Sequence, residues 1–213
     1  DPIIAEQVEY ARFASEAVEG RVQIVYPQLQ GLLTNSMRLM EQTEMLMACV
    51  TDKPNMVRLS ERIAEHMIGI VKLMLKATGS PKRIRPRGRF HQPSGVVGLM
   101  VDDYISVIRP QDYFDICNSS WQMMADELGP IYMHTCGPVA QDAEILLNLP
   151  GLVGLETAFV DHQHTTTVNV MDMKKRLEGR IVLGTFGLPH GEPVQDIHNL
   201  SRDHGTIKNT DHT

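Results

Sequence analysis

Val96-Val97-Gly98-Leu99-Met100-Val101-Asp102-Asp103 is the stretch that decides the fold of this chain. Its first six residues carry no charge and show no alternation of polar and apolar positions. A strand apolar on both faces belongs in a sheet covered on both sides, which is the usual setting of a parallel sheet. Two aspartates end the run. The same design returns at Ile131-Tyr132-Met133-His134-Thr135-Cys136-Gly137, at Leu152-Val153-Gly154-Leu155-Glu156 and at Arg180 to Gly184: an apolar run that ends in polar, chemically able residues or in glycine.

Helical patterns separate these strands. Residues 3–18 place Ile4, Val8, Tyr10, Ala11 and Ala14 near one face, and Gly20 ends them. Arg21 to Tyr26 alternates like a strand, and Pro27 closes it. A second helix is expected over residues 32–50, and a third follows Asp52, which stands at a capping position with Pro54 in the first turn. In that third helix Met56, Leu59, Ile63, Met67, Ile70 and Met74 recur at steps of three and four, an amphipathic stripe. Residues 80–95, rich in Arg, Pro and Gly, hold a short strand at most. Further helices are expected over 110–128, 139–148, 170–178 and 193–204. Alternating strands and helices with short connections imply a parallel sheet with crossover helices. A doubly wound sheet and a (β/α)8 barrel both fit. No Gly-x-Gly-x-x-Gly follows a strand, and Asp102/Asp103, His134/Cys136 and Glu156 all fall at C-terminal strand ends, where a barrel gathers its active site. The expectation is a single α/β domain over 1–213, a (β/α)8 barrel. With about five or six recognisable strands against the eight of a closed barrel, it is an incomplete one, whose open parallel edges favour association with other chains.

The chain has 213 residues, a net charge of −6 and 42% hydrophobic content, enough for one sizeable core. An acidic chain whose one basic cluster is Lys82, Arg83, Arg85, Arg87 and Arg89 argues against a nucleic-acid partner. That cluster is a solvated loop or a clamp for phosphate or carboxylate. No apolar run is long enough to span a bilayer. Cys49, Cys117 and Cys136 are distant and odd in number, which is no disulfide framework and suggests a reducing, cytoplasmic compartment. Cys49 and Cys117 lie on apolar helix faces and belong to the core.

On a strand, residues two apart point to the same side. His134 and Cys136 therefore project together, and imidazole nitrogen and thiolate sulfur are ligands that zinc prefers. The alternative is a hydrogen-bonded histidine beside a small buried cysteine. Glu156, one strand along, is a further candidate metal ligand or an orienter of the histidine. Asp103 is a candidate acid–base group, against the plainer reading of Asp102-Asp103 as an acidic turn before a helix. Asp161, His162 and His164 read as a solvated loop, and Gly184-Thr185-Phe186-Gly187 as a turn whose amides could approach an anion.

The order Asp102-Asp103-Tyr104, Arg109-Pro110-Gln111-Asp112-Tyr113-Phe114, His134-Thr135-Cys136-Gly137, Gly151 to Glu156 and Gly179 to Gly184 resembles the uroporphyrinogen decarboxylase superfamily. Pro27 to Thr34 is similar to that family's Gly-Pro-(Phe/Leu)-Thr segment, and the resemblance spans most of residues 1–205. It implies a (β/α)8 barrel. It also implies one of two activities: cofactor-free decarboxylation of uroporphyrinogen, or zinc-dependent methyl transfer from a corrinoid protein to a small thiol. The His-x-Cys pair is similar to the zinc ligands of the methyltransferase branch, which makes that branch the expectation, with zinc and a corrinoid carried by a partner. That branch's later zinc-binding cysteine has no counterpart after Cys136, and the decarboxylase tyrosine is missing, since there is no Tyr between Tyr26 and Tyr104. The resemblance thus implies a barrel without its N- and C-terminal parts, either a methyltransferase, a decarboxylase or an inactive truncated barrel.

Overall fold

A computed structural model describes residues 1–86, 96–137, 139, 143–158, 173, 175–177, 180–186 and 207–208. The chain is a mixed α/β structure in which every described strand pairing is parallel. Helix α1 (Pro2–Ala17) begins at Asp1, whose carboxylate accepts from the Ile3 and Ile4 amides. Strand β1 (Ile24–Tyr26) leads to α2 (Leu32–Leu39), α3 (Gln42–Thr51) and the long α4 (Lys53–Thr78). After β2 (Ile84–Pro86) come β3 (Gly98–Val101), a 3-10 turn at Asp103–Ser106, α5 (Pro110–Leu128), β4 (Ile131–Thr135), α6 (Ala143–Asn148), β5 (Leu152–Ala158), β6 (Val182–Phe186) and β7 (Ile207–Lys208).

β1 and β2 form one pair, and β3-β4-β5-β6-β7 form a sheet in chain order. Parallel neighbours need a crossover between them; α4 lies between β1 and β2, α5 between β3 and β4, and α6 between β4 and β5. Register aligns Met100, Met133 and Leu155 in one row and Val101, His134 and Glu156 in the next. The first row joins the main core with Leu183, Trp121 and Met124. Leu99, Val101 and Tyr132 form a second apolar cluster. Alternation along each strand puts the two clusters on opposite faces.

A buried carboxylate joins the β1–α2 segment to β3. Gly31 opens α2 without a side chain to cap it. Asp102, at the end of β3 and 0% exposed, supplies the cap from a distance. Its Oδ2 accepts from the Leu33 amide and its Oδ1 from the Thr34 amide and hydroxyl, each at 3.0 Å. Tyr113 of α5 donates its hydroxyl to Oδ2 at 3.3 Å, and Trp121 Nε1 donates to that hydroxyl in turn. A Cβ on residue 31 would lie 2.4 Å from the Asp102 Cβ, so only glycine allows this approach. Tyr26 adds a second tie by donating its hydroxyl to the Val97 carbonyl at 2.5 Å.

Several expectations change in detail. The helix expected over 32–50 is broken at Met40, which is extended (φ −139°), and Glu41 caps a new helix by accepting from the Thr43 and Glu44 amides. Glu41-Gln42-Thr43-Glu44 interrupts the apolar residues here, but four polar residues also fit one solvent-facing turn of a continuous helix, so the pattern alone does not reveal the break. Asp52 occupies the N-cap position of α4 but makes no cap bond; it accepts from the Asn55 side chain instead. The strand expected from Arg21 starts at Ile24, and β5 and β6 each run two residues past their expected ends. β7 was not expected. The helix expected over 193–204 and the loop with Asp161, His162 and His164 lie outside the described residues. Among the described residues no helix is long and apolar enough to cross a membrane.

Burial pushes the Asp102 carboxyl up to about 6, against the Leu33, Thr34 and Tyr113 donors that favour its charged form. A folded-state pKa above the ordinary carboxylate value means the contribution of Asp102 is complete at low pH and declines as pH rises through about 6. In Asp102→Asn the amide nitrogen must face one of two backbone N–H donors, so stability falls by about 1–3 kcal/mol near pH 5. The wild type's advantage over Asp102→Asn shrinks between pH 4 and pH 7, by up to about 3 kcal/mol. Urea titrations at a series of pH values measure both.

Candidate metal centre

His134 is the fourth residue of β4, and parallel register sets it directly beside Glu156 of β5. Neighbours in register on adjacent strands face the same side, so the pair follows from the sheet itself. His134 Nδ1 lies 3.0 Å from Glu156 Oε2, and His134 Nε2 lies 3.3 Å from Cys136 Sγ. Glu156 thus holds one edge of the ring and leaves the other facing the cysteine. Burial works against a charged imidazole here. The hydrogen bonds to Cys136 and Glu156 and the charges beside it outweigh that and raise the His134 pKa to about 9.

Cys136 sits where the chain leaves β4, and its position is fixed from three sides. Its amide donates to Asp103 Oδ1 at 2.6 Å. The Gly137 carbonyl accepts from Thr157 Oγ1 at 2.8 Å. A Cβ on residue 137 would fall 2.2 Å from Ser106 Oγ, so the glycine lets this turn lie against the 3-10 turn that follows β3. Ser106 in turn donates its hydroxyl to the Asp103 carbonyl.

One ligand atom each from Asp103, His134 and Cys136 lie within 4.8 Å of one another. Tetrahedral zinc with bonds of 2.0–2.3 Å separates its ligands by roughly 3.5 Å, so a small closing movement would bring the three onto one ion. A second observation fits a cation. Glu156 is 1% exposed, and its Oε1 has no hydrogen-bond partner among the described residues. A buried carboxylate in contact with the imidazole is what orients a metal-binding histidine and raises its basicity. The nitrogen, sulfur and oxygen donors, with this carboxylate behind them, suit zinc.

The cluster opens into a cavity of about 490 Å³ at the C-terminal ends of β3 and β4, walled also by Gln30, Thr34 and Arg38 of the β1–α2 segment. Gln30 holds a left-handed backbone (φ 64°) in this wall, a conformation that is costly for a residue with a side chain.

Of the residues expected from sequence, His134, Cys136 and Asp103 come together in the cavity wall, and Glu156 stands on the Nδ1 side of His134. Asp102 is separate: it caps α2. Cys49 and Cys117 are buried in the core. Arg83 and Arg85 do not line the cavity. Arg109 forms a two-point ion pair with Asp112, which Lys53 also contacts at 2.7 Å; Arg109 and then Lys53 hold the Asp112 carboxyl below its usual range. Sequence reasoning missed Arg38 and Gln30, because no spacing ties a helix terminus or a loop to strands many residues away. Compared with models of protein families, with curated protein sequences and with solved structures, the chain matches none.

Replacing Glu156 by Gln removes the charge behind His134 while keeping a hydrogen-bonding side chain. In metal-free protein the His134 pKa then falls from about 9 by about 1–2 units. A ¹H–¹⁵N titration of the imidazole reads this directly, and an unchanged value would show that Glu156 does not set the state of the ring.

Proposed function

We propose that this chain is part of a (β/α)8 barrel of the uroporphyrinogen decarboxylase type that binds zinc at its mouth and transfers a methyl group from a corrinoid protein to a small thiol. The observation that carries the reading is the convergence of Asp103, His134 and Cys136 in a cavity at the C-terminal ends of parallel strands. The chain-order pairing of β3 to β7 supports the barrel, since a doubly wound sheet reverses its strand order. Three free cysteines suit a cytoplasmic location.

In this reading Asp103, His134 and Cys136 hold the ion. Bound there, zinc lowers the pKa of a substrate thiol, so that the thiol is a nucleophile near neutral pH. Glu156 accepts the Nδ1 proton of His134 and keeps Nε2 directed at the ion. Thr157 and Ser106 keep the Cys136 turn in place without touching the substrate. Asp103 carries a double load, because its Oδ1 also accepts the Cys136 amide.

Purified protein is expected to hold about one zinc per chain. His134→Ala and Cys136→Ala lose it, and Glu156→Gln binds it about 10–100-fold more weakly. Elemental analysis after dialysis against a mild chelator decides this; zinc-free wild type, or undiminished zinc in Cys136→Ala, contradicts the reading. Methylcobalamin and a small thiol then test the reaction, which a strong chelator should abolish. Loss of carboxylate from uroporphyrinogen in the presence of that chelator would favour the decarboxylase instead.

A further inference from the structure

A second concave surface lies on the flank of the molecule, between α2 and α4. It is a groove of about 370 Å³ whose apolar floor includes Leu39, Leu59, Ile63 and Ile70. Leu39 is 69% exposed, and Leu73, on the same face of α4 one turn beyond the groove, is 46% exposed. Arg38, Arg62 and His66 rim the groove, and among the described residues no acidic one lines it. A basic rim around an apolar floor stands out on a chain of net charge −6. Arg38 has no ion-pair partner among the described residues, and Arg62 pairs only with Glu65 of its own helix, where both side chains are open to water.

Gly69 adds an independent observation. It sits in the interior of a 26-residue helix, where glycine is a poor helix former. A Cβ at Gly69 would meet nothing within 4 Å, so no contact among the described residues calls for a glycine. Arg62, His66, Gly69 and Leu73 follow one another at steps of four, three and four along α4, which places them in one stripe. A small residue in such a stripe allows another backbone to approach closely.

We propose that this groove docks an amphipathic helix of a partner protein, with apolar residues at steps of three and four seated on the floor and Asp or Glu facing Arg38, Arg62 and His66. An apolar helix face in a complementary groove is a recurrent mode of recognition, and the rim selects the sign of the partner's charge. A second copy of this chain is a poorer occupant, because a twofold contact through this face sets the two basic rims against each other. Arg38 also lines the cavity that holds Asp103, His134 and Cys136, so a helix seated here touches the wall of that site.

The test uses the whole chain and a fluorescein-labelled synthetic helix of roughly 18 residues, with leucine on one face and glutamate on both flanks. Its twin carries lysine in place of glutamate. The glutamate helix is expected to bind saturably, and the lysine twin about tenfold or more weakly. Arg62→Glu should reverse that preference. Gly69→Leu, which fills the stripe and suits a helix better than glycine does, should weaken binding about tenfold while circular dichroism keeps the wild-type helix content. The proposal falls if neither peptide binds saturably, if both bind alike, or if the two variants bind as the wild type does. It falls also if sedimentation finds a dimer that Gly69→Leu splits, since the groove would then be the chain's own interface.

Discussion

The Asp102 carboxylate is the constraint on which the rest depends. It stands at the end of β3, is wholly buried, and is the side chain that meets the first amides of α2. A helix whose N-terminus is buried must find partners for its free amides, and Gly31 offers none. By accepting those amides and the Tyr113 hydroxyl, Asp102 fixes three elements at one point: the end of β3, the start of α2 and the first turn of α5. The cost is a buried carboxyl whose pKa burial lifts to about 6. The structure accepts that cost because leaving the same amides unpaired would be worse.

The candidate site follows from this arrangement. Asp102 continues the Met100 side of β3 towards the helices, while Asp103 contacts the turn after β4. Adjacent aspartates therefore do different work, one inside the scaffold and one in the cavity wall. Parallel register brings His134 beside Glu156, and the turn at Gly137 brings Cys136 back to the imidazole. Because α2 is held by Asp102, the β1–α2 segment contributes Gln30, Thr34 and Arg38 to the same cavity. A residue of the scaffold and a residue of the candidate site are thus separated by a single position in sequence.

Much of the fold is legible in the sequence. Unbroken apolar runs at β3, β4 and β5 announce the parallel sheet, and Asp103, His134 and Cys136 from the ends of β3 and β4 line one cavity. His134 and Cys136 share one side of a strand end by their two-residue spacing, but that spacing fits a metal pair and a hydrogen-bonded histidine beside a small cysteine equally well. The role of Glu156 was open, since choosing between ligand and orienter requires the register of β4 against β5, which local spacing does not contain. Asp102 and Asp103 looked alike because the partners that distinguish them, Leu33, Thr34 and Cys136, lie at least thirty residues away in the chain. The break between α2 and α3 is hard to read because the polar run Glu41 to Glu44 fits a solvent-facing turn of one helix as well as it fits a new helix start capped by Glu41. The groove over α4 was invisible for a different reason: Leu59 and Ile70 fit the amphipathic stripe, and only the packing shows that their side of it is left partly uncovered.

The claim that His134, Cys136 and Asp103 form one zinc site is tested most directly by X-ray absorption at the zinc edge. The expected spectrum has a single sulfur at about 2.3 Å with nitrogen and oxygen neighbours at about 2.0–2.1 Å, and Cys136→Ala should lose the sulfur contribution. A shell without sulfur, or one built from several sulfurs, would contradict the account.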